Sequence, residues 1–209
     1  MKTFLFQGDS ITDAYRLKDD SKLEYFGYGY ATIAAGMLHQ KYPGQFRFLN
    51  RGVSGDRTVD LYARIKKDAI NLKPDYMSIL VGVNDIGHEF TQQNGLTPEK
   101  YEKILTMYIE EILEALPDIK IVILEPFLTA GEFTETYSAM VEPVKLAAAA
   151  AKRVAKKFNF PFVPLQEKLD SWVEKYGATY VTHEGVHPTN AGHSVIAAAL
   201  VETLEKEVL

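Results

Sequence analysis

A serine, a histidine and a glutamate in this chain have the residue types that nucleophilic acyl transfer requires. Ser10 follows a short apolar run, and Glu184 precedes His187 by three positions near the C-terminus. A serine becomes a nucleophile when a base within hydrogen-bond reach takes its proton. His187 can act as that base, and Glu184 can fix the imidazole tautomer and stabilise its charged form. These residues predict a catalytic triad, with another carboxylate or a backbone carbonyl as the alternative third member.

Two further polar turns carry candidate donors for a tetrahedral intermediate. Such an intermediate bears an oxyanion, which needs fixed hydrogen-bond donors. The backbone N–H groups of Ser10 and Gly55 and the side-chain amide of Asn84 would supply three. Glycine at position 55 also lets the chain approach a substrate closely, because it has no side chain. We therefore expect Ser10, Gly55 and Asn84 to form an oxyanion hole.

The elements that must position these residues are short apolar runs alternating with helical patterns. The strand candidates are residues 4–6, 46–49, 76–81, 121–124 and 160–163. The helical patterns cover residues 28–40, 58–72, 97–116, 138–158, where Pro143 allows a bend, and 190–208, which we interpret as amphipathic. Strand–helix alternation predicts a parallel sheet with helices on both faces, in one domain spanning residues 1–209. Ligands of such sheets bind beyond the carboxyl ends of the strands, and three of the polar turns directly follow predicted strands.

Four short blocks, in this order, resemble the SGNH (GDSL-like) hydrolase family. They contain Ser10 in a Gly-Asp-Ser turn, Gly55, Asn84 in a Gly-Val-Asn-Asp turn, and His187 before a proline. The resemblance spans most of the chain and implies a three-layer α/β/α sandwich of the flavodoxin-like type, with a five-stranded parallel sheet. It also implies hydrolysis of esters or thioesters without a metal or an organic cofactor. One departure is Glu184, which stands where the family usually has an aspartate.

The sequence around Ser10, Gly55 and His187 is similar to that of intracellular carbohydrate acetyl esterases in this family. This similarity implies a small acyl ester, with acetylated sugar as the leading substrate. A lysophospholipase or a short-chain thioesterase is the competing enzyme, and a non-catalytic carbohydrate-binding protein on the same fold is the alternative from another class. The candidates for framing a sugar pocket are Tyr15, Arg57, His88 and the loop 125–133.

Several of these residues also have purely structural interpretations. Ser10 alone would be a common helix cap, while Asp9 is expected to brace its turn and Asp85 to be structural. His193 is likewise expected to be structural, and His183 to lie in a loop at the pocket rim. The pattern His-Glu-Gly-Val-His at 183–187 matches that of zinc peptidases. That pattern binds zinc only on a helix, which the following proline disfavours, so we expect no zinc site.

Composition excludes several other classes of protein. The 209 residues are 46% hydrophobic and 24% charged, with a formal net charge of -5 and no cysteine. Disulfides, thiolate metal sites and a cysteine nucleophile are therefore excluded. The negative charge argues against nucleic-acid and anionic-membrane partners. The N-terminal apolar run is too short for the core of a signal peptide, so we expect a cytoplasmic protein.

Overall fold

A computed structural model describes residues 1–19 and 22–209 of the chain. Within these residues, five parallel strands form one sheet in the order β2-β1-β3-β4-β5. The strands are β1 (Lys2–Gly8), β2 (Phe46–Asn50), β3 (Tyr76–Leu80), β4 (Lys120–Leu124) and β5 (Phe162–Val163). The predicted five-stranded parallel sheet is confirmed, and its strand order is flavodoxin-like.

The strands have almost continuous apolar sequences because both faces of the sheet are covered. In β1, Phe4, Leu5 and Phe6 are each at most 1% exposed, although successive side chains point to opposite faces. This burial on both faces is typical of parallel sheets. The last strand begins two residues later than predicted, at Phe162. Pro161 has no N–H to donate to a sheet, and it contributes only a carbonyl that accepts from the Ile123 N–H.

Helices cover both faces of the sheet and complete the predicted three-layer sandwich. The α-helices are α1 (Ser10–Asp13), α2 (Tyr30–Lys41), α3 (Thr58–Ala63), α4 (Ile65–Asp68), α5 (Val83–Gln92), α6 (Pro98–Ala115), α7 (Glu132–Thr136), α8 (Val141–Lys157), α9 (Gln166–Tyr176), α10 (Ala178–Val181) and α11 (Asn190–Glu207). Helix α2 packs against α11, and helix α6 packs against α3 and α8. Single 3₁₀ turns lie at Leu23–Phe26, Ile70–Leu72 and Ser138–Met140.

Three of the predicted helices differ from the observed ones. The pattern at 58–72 is broken into α3, α4 and a 3₁₀ turn, because the backbone leaves helical geometry at Arg64 and again at Ala69. The Arg64 guanidinium binds Asp56 at 2.7 Å. Pro143 bends no helix, since α8 starts at Val141 and the proline lies in its first turn, where its missing N–H costs nothing. The helix α11 keeps one exposed stripe, at residues 190, 194, 198, 202 and 206, but it is buried more widely than a surface amphipathic helix. Its three consecutive residues 195–197 are all buried, so more than one face of the helix is covered.

The sheet order brings three polar turns to one edge. The strands β2, β1 and β3 are neighbours, so the turns that follow them lie side by side at their carboxyl ends. Strand order also reverses between β1 and β3, which is where parallel open sheets place their ligand crevice. No helix in the described part of the chain is long and apolar enough to span a membrane.

Candidate active site

Ser10 is the first residue of α1, directly after the central strand β1. The cap of this short helix is Asp9, whose carboxylate accepts a hydrogen bond from the Ile11 N–H at 3.0 Å. The capping role considered for Ser10 therefore belongs to Asp9, which braces the turn. The Ser10 hydroxyl instead lies 2.9 Å from Nε2 of His187, 177 positions away in the sequence.

His187 lies between α10 and α11, in a segment outside any helix. A bridge between Thr182 and Pro188 and a bond from the His183 N–H to the His187 carbonyl at 2.9 Å fold this segment into a compact turn. The two histidines of the zinc-peptidase pattern therefore do not share a helical face. Among the described residues, no group of three or more His, Asp or Glu side chains is arranged to hold a metal ion.

Glu184 contacts the other ring nitrogen of His187 through Oε1 and also accepts the His187 N–H at 3.2 Å. The hydrogen bond to Glu184 raises the pKa of His187, although burial of the ring acts in the opposite direction. Burial alone would raise the pKa of Glu184, but the hydrogen bond and charge of His187 hold it below its usual value. The structure thus joins Ser10, His187 and Glu184 in one hydrogen-bonded chain.

The segment that follows β4 holds the Glu184–His187 turn in place. The Thr129 N–H donates to the Gly185 carbonyl at 2.9 Å, and the Phe133 N–H donates to the Glu184 carbonyl at 3.0 Å. The Gly185 N–H in turn donates to the Thr182 hydroxyl at 3.1 Å. Part of the loop 125–133 therefore anchors the backbone that carries the acid and the base.

Gly55 lies in the turn after β2 with a positive φ of 85°, a conformation that favours glycine. A Cβ at this position would meet nothing within 4 Å, so the backbone conformation and not space makes glycine suitable. The turn is fixed on both sides of Gly55. The Ser54 N–H donates to the Asp13 carboxylate at 2.9 Å, and Asp56 binds Arg64.

Asn84 lies in the first turn of α5, after β3, and its side-chain amide donates to the Asp56 carbonyl at 3.1 Å. This bond ties the Asn84 amide to the turn that carries Gly55. The adjacent Asp85 is fully buried and accepts from both the N–H and the hydroxyl of Thr58. Asp85 thereby joins the first turns of α3 and α5, which is a structural role.

Two cavities flank His187. The larger, about 370 Å³, contains Ser10 and is also lined by Tyr15, Tyr28, Ser54 and His193. The smaller, about 190 Å³, contains the Asn84 side chain together with His88, Phe133 and Met140. His183 lines the larger cavity, as expected of a residue at the pocket rim.

Arg57 and Glu125, which the sequence offered as pocket residues, have other partners. The Arg57 guanidinium binds Asp60 at 2.9 Å and the Asn94 carbonyl at 2.6 Å, and it lines neither cavity. The Glu125 carboxylate accepts the Leu165 N–H at 2.6 Å, which joins the ends of β4 and β5.

Sequence reasoning did not predict that Tyr28 and His193 line the cavity beside Ser10. The signal in the sequence is the pair of glycines in Gly27-Tyr28-Gly29, which no predicted strand precedes and which therefore does not match a nucleotide-binding fingerprint. A Cβ on Gly29 would lie 2.6 Å from the Ala14 Cβ and 3.0 Å from Cε1 of His193. Glycine at this position lets the start of α2 pack tightly between α1 and α11, which brings Tyr28 to the cavity.

Asp9 provides a test of how a buried carboxyl beside the nucleophile affects stability. Its Oδ2 has no hydrogen-bond partner among the described residues, and burial raises its pKa from 3.8 to about 7. The folded state therefore holds a proton that the unfolded chain releases. Protonated Asp9 stabilises the folded state fully below the pKa of the unfolded chain, 3.8. This stabilisation is lost as pH rises through the pKa of the folded state, about 7, by up to ~1.4 kcal/mol per pH unit.

We expect Asp9→Asn to raise the urea midpoint of unfolding at roughly pH 8 but not at roughly pH 4, because asparagine keeps the acceptor for Ile11 and cannot ionise. Asp85, whose pKa burial also raises to about 7, retains its own pH dependence in this variant. An equal effect of the substitution at both pH values would contradict the prediction.

Comparisons with known proteins agree with this fold. Residues 6–195 match the model of the GDSL-like lipase/acylhydrolase family. The chain is 30% identical to the acetylxylan esterase of Geobacillus stearothermophilus over 208 residues, covering 96% of this chain and 92% of that protein.

Solved structures show the same similarity in three dimensions. A protein from Parabacteroides merdae that is described as GDSL-like superposes with a TM-score of 0.91 at 33% identity, over 98% of this chain and 95% of that one. The crystal structure of the Geobacillus acetylxylan esterase superposes with a TM-score of 0.86 at 28% identity, over 97% of this chain and 94% of that one.

Proposed function

This chain belongs to the GDSL-like lipase/acylhydrolase family of ester hydrolases, and on that premise we propose that it hydrolyses small acetyl esters of carbohydrates through a serine-bound acyl intermediate. The observation that carries the serine mechanism is the hydrogen-bonded chain from Ser10 through His187 to Glu184. Nucleophile, base and orienting acid in this order are the arrangement that activates a serine for acyl transfer.

In the first step, the Ser10 hydroxyl attacks the ester carbonyl while His187 takes its proton at Nε2. His187 then returns this proton to the leaving alcohol, which departs as the C–O bond breaks and leaves an acyl group on Ser10. In the second step, His187 takes a proton from water, and the resulting hydroxide attacks the acyl carbon. Ser10 regains its proton and the carboxylic acid is released. Glu184 keeps Nε2 free to accept by holding the Nδ1 side of the ring.

The oxyanion of each tetrahedral intermediate is stabilised by Ser10, Gly55 and Asn84. Within the described residues, neither the Ser10 N–H nor the Gly55 N–H donates to a protein acceptor, so both are free for a substrate. The Asn84 amide uses one N–H on the Asp56 carbonyl, which fixes its orientation and leaves the second N–H available. Donors held in this way need no reorganisation when charge develops on the substrate oxygen.

Acetylated carbohydrate is the substrate class favoured by the relatives and by the cavity. The Geobacillus relative, which matches nearly the whole chain, is named an acetylxylan esterase. The cavity beside Ser10 is lined by two tyrosines, Ser54 and His193 together with the catalytic groups. A lysophospholipase would be expected to present a broad apolar groove to its acyl chain instead.

The proposal is tested by comparing acetylated xylosides with p-nitrophenyl esters of increasing acyl length, without added metal. We expect the acetyl esters to be hydrolysed fastest and kcat/KM to fall as the acyl chain lengthens. A serine-directed phosphonate should label Ser10, which peptide mass spectrometry can locate. Rising activity with longer chains would favour a lipid ester, and sugar binding without turnover would favour a non-catalytic protein.

Replacing Asn84 with alanine tests the oxyanion hole. We expect kcat for p-nitrophenyl acetate to fall by about 10²–10³, because one fixed donor is lost at the oxyanion. His88→Ala is the matched control, since His88 lines the same small cavity one helical turn away but donates nothing in the proposed mechanism. Similar losses in both variants would assign the effect to the cavity and not to the Asn84 amide.

A further inference from the structure

His193 presents a hydrogen-bond donor in a fixed tautomer at the cavity beside Ser10. The residue is only 3% exposed, and its Nδ1 accepts the Tyr30 N–H at 3.1 Å. Burial lowers the pKa of His193 to about 4, with a further contribution from His187 and His183, so the ring is neutral near pH 7. A neutral imidazole whose Nδ1 accepts must carry its proton on Nε2.

This Nε2–H group has no acceptor among the described residues. The proposed mechanism does not use it, because Ser10 and Glu184 contact His187 and not His193. Among the described residues, His193 Nε2 is not one of the buried polar atoms left without a partner, and His193 lines the cavity, so this donor is accessible to a molecule bound there. Such a donor can bind a hydroxyl or an ether oxygen of a bound molecule.

Two tyrosines form an exposed aromatic face at the same cavity. Tyr15 is 85% exposed and Tyr28 is 50% exposed, and their rings stack with centroids 5.8 Å apart and planes 16° apart. The Tyr28 and His193 rings are nearly perpendicular, with their centroids 6.0 Å apart. The stacked rings therefore adjoin the donor.

The backbone that carries Tyr15 is strained. Ala14 and Tyr15 have positive φ angles of 43° and 57°, which are unfavourable for residues with side chains. Such strain is characteristic of sites at which a side chain is held for function. Here it follows directly on the helix that carries Ser10 and places the Tyr15 ring at the cavity.

We propose that this cavity is the leaving-group subsite for a single pyranose ring, whose C–H face stacks on Tyr28 beside Tyr15 and one of whose oxygens accepts a hydrogen bond from Nε2–H of His193. The inference rests on the proposed function and deepens it by assigning the residues that recognise the sugar. A cavity of about 370 Å³ suits a ligand of this size. An alkyl alcohol offers no second oxygen to the His193 donor.

Two substitutions separate the two nitrogens of His193. His193→Asn keeps an acceptor near the position of Nδ1 for Tyr30 but removes the donor at the position of Nε2. His193→Gln removes the acceptor near Nδ1 but keeps a donor, because its amide reaches the position of Nε2. We expect His193→Asn to lower the ratio of kcat/KM for an acetylated methyl xyloside to that for p-nitrophenyl acetate by about fivefold to tenfold, the effect of one hydrogen bond.

His193→Gln is expected to restore most of this ratio while lowering the melting temperature, because the Tyr30 N–H loses its acceptor. A purely structural role for His193 predicts a different result. The ratio would be unchanged in both variants, and activity on both substrates would fall in proportion to the loss of stability. That outcome would overturn the assignment of the donor.

The aromatic face is tested with Tyr28→Ala, for which we expect a loss in the same ratio of about threefold to tenfold. Tyr28→Phe should retain the ratio, because the ring face remains. Tyr176→Ala is the matched control, since Tyr176 is 47% exposed, lies against neighbouring aromatic rings and is not at the cavity. Equal effects of Tyr28→Ala and Tyr176→Ala would overturn the stacking face.

A binding measurement in the Ser10→Ala background separates this proposal from the proposed function. Calorimetry with the acetylated methyl xyloside should show binding that His193→Asn and Tyr28→Ala both weaken. Weakened binding in an enzyme without serine-dependent turnover would retain the subsite and refute the mechanism. Serine-dependent turnover of p-nitrophenyl acetate, without xyloside binding or with binding that neither substitution affects, would retain the mechanism and refute the subsite.

Discussion

Replacing Ser10 with alanine is expected to reduce kcat for p-nitrophenyl acetate by about 10⁴–10⁶, leaving only the contribution of binding and the oxyanion donors. The Ser10 hydroxyl lies 2.9 Å from Nε2 of His187, the distance at which the base can take its proton. Without the hydroxyl no acyl intermediate forms. Steady-state hydrolysis by purified wild type and variant, side by side, measures the loss.

Ser54→Ala is the matched control for this experiment. Ser54 lines the same cavity, but its hydroxyl has no hydrogen bond to His187. We expect Ser54→Ala to retain most of the activity, and both variants to unfold at the temperature of the wild type. Equal activity in wild type and Ser10→Ala would indicate another nucleophile or a contaminant. Absence of activity in all three proteins would favour a narrow substrate range or a non-catalytic protein.

The sheet and the positions of the polar turns could be predicted because they depend on local sequence. A buried parallel strand must be apolar on both faces, so the runs at 4–6 and 76–81 stand out without any tertiary information. The turn at the end of each strand can then be read from its glycine and polar residues. Parallel strands of one sheet bring these ends to a common edge, which explains why Ser10 and Asn84 lie on neighbouring turns.

The break at Arg64 could not be predicted, because the helical pattern of apolar residues continues across it. The pattern at 58–72 suits one continuous helix, but the Arg64 side chain binds Asp56, Asp68 and the Gly8 carbonyl. These bonds connect the end of β1 to the turn that carries Gly55. Helical periodicity reports which residues face the core, and it contains no information about such a tertiary contact.

His193 could not be assigned for a similar reason. In the sequence it lies after a glycine at the start of a helix, which is compatible with a purely structural residue. Its partner is the backbone N–H of Tyr30, and that pairing exists only because α2 packs against α11. Tyr28 reaches the cavity through the same packing. The residues nearest the reacting atoms were therefore easier to find than those proposed to recognise the substrate.

Glu184 stands where the family usually has an aspartate, and Glu184→Gln tests whether its carboxylate orients His187. We expect kcat to fall by about 10⁴, because an amide can present its N–H₂ group to Nδ1 and stabilise the wrong imidazole tautomer. Glu184→Asp is the matched control, since it keeps the charge and shortens the side chain by one methylene. The Phe133 N–H holds the Glu184 carbonyl at 3.0 Å, so the backbone cannot easily move to close the gap. We expect a smaller loss for this variant, of about tenfold.

The pH profile distinguishes the role of Glu184 from a general effect on stability. The hydrogen bond to Glu184 raises the pKa of His187, and only the neutral imidazole can accept the Ser10 proton. Activity of the wild type should therefore rise with pH through this raised pKa. In Glu184→Gln the pKa of His187 falls, so the remaining activity should persist to lower pH, while Glu184→Asp should stay close to the wild type. A Gln variant with full activity and an unshifted profile would show that a backbone carbonyl or another carboxylate orients His187.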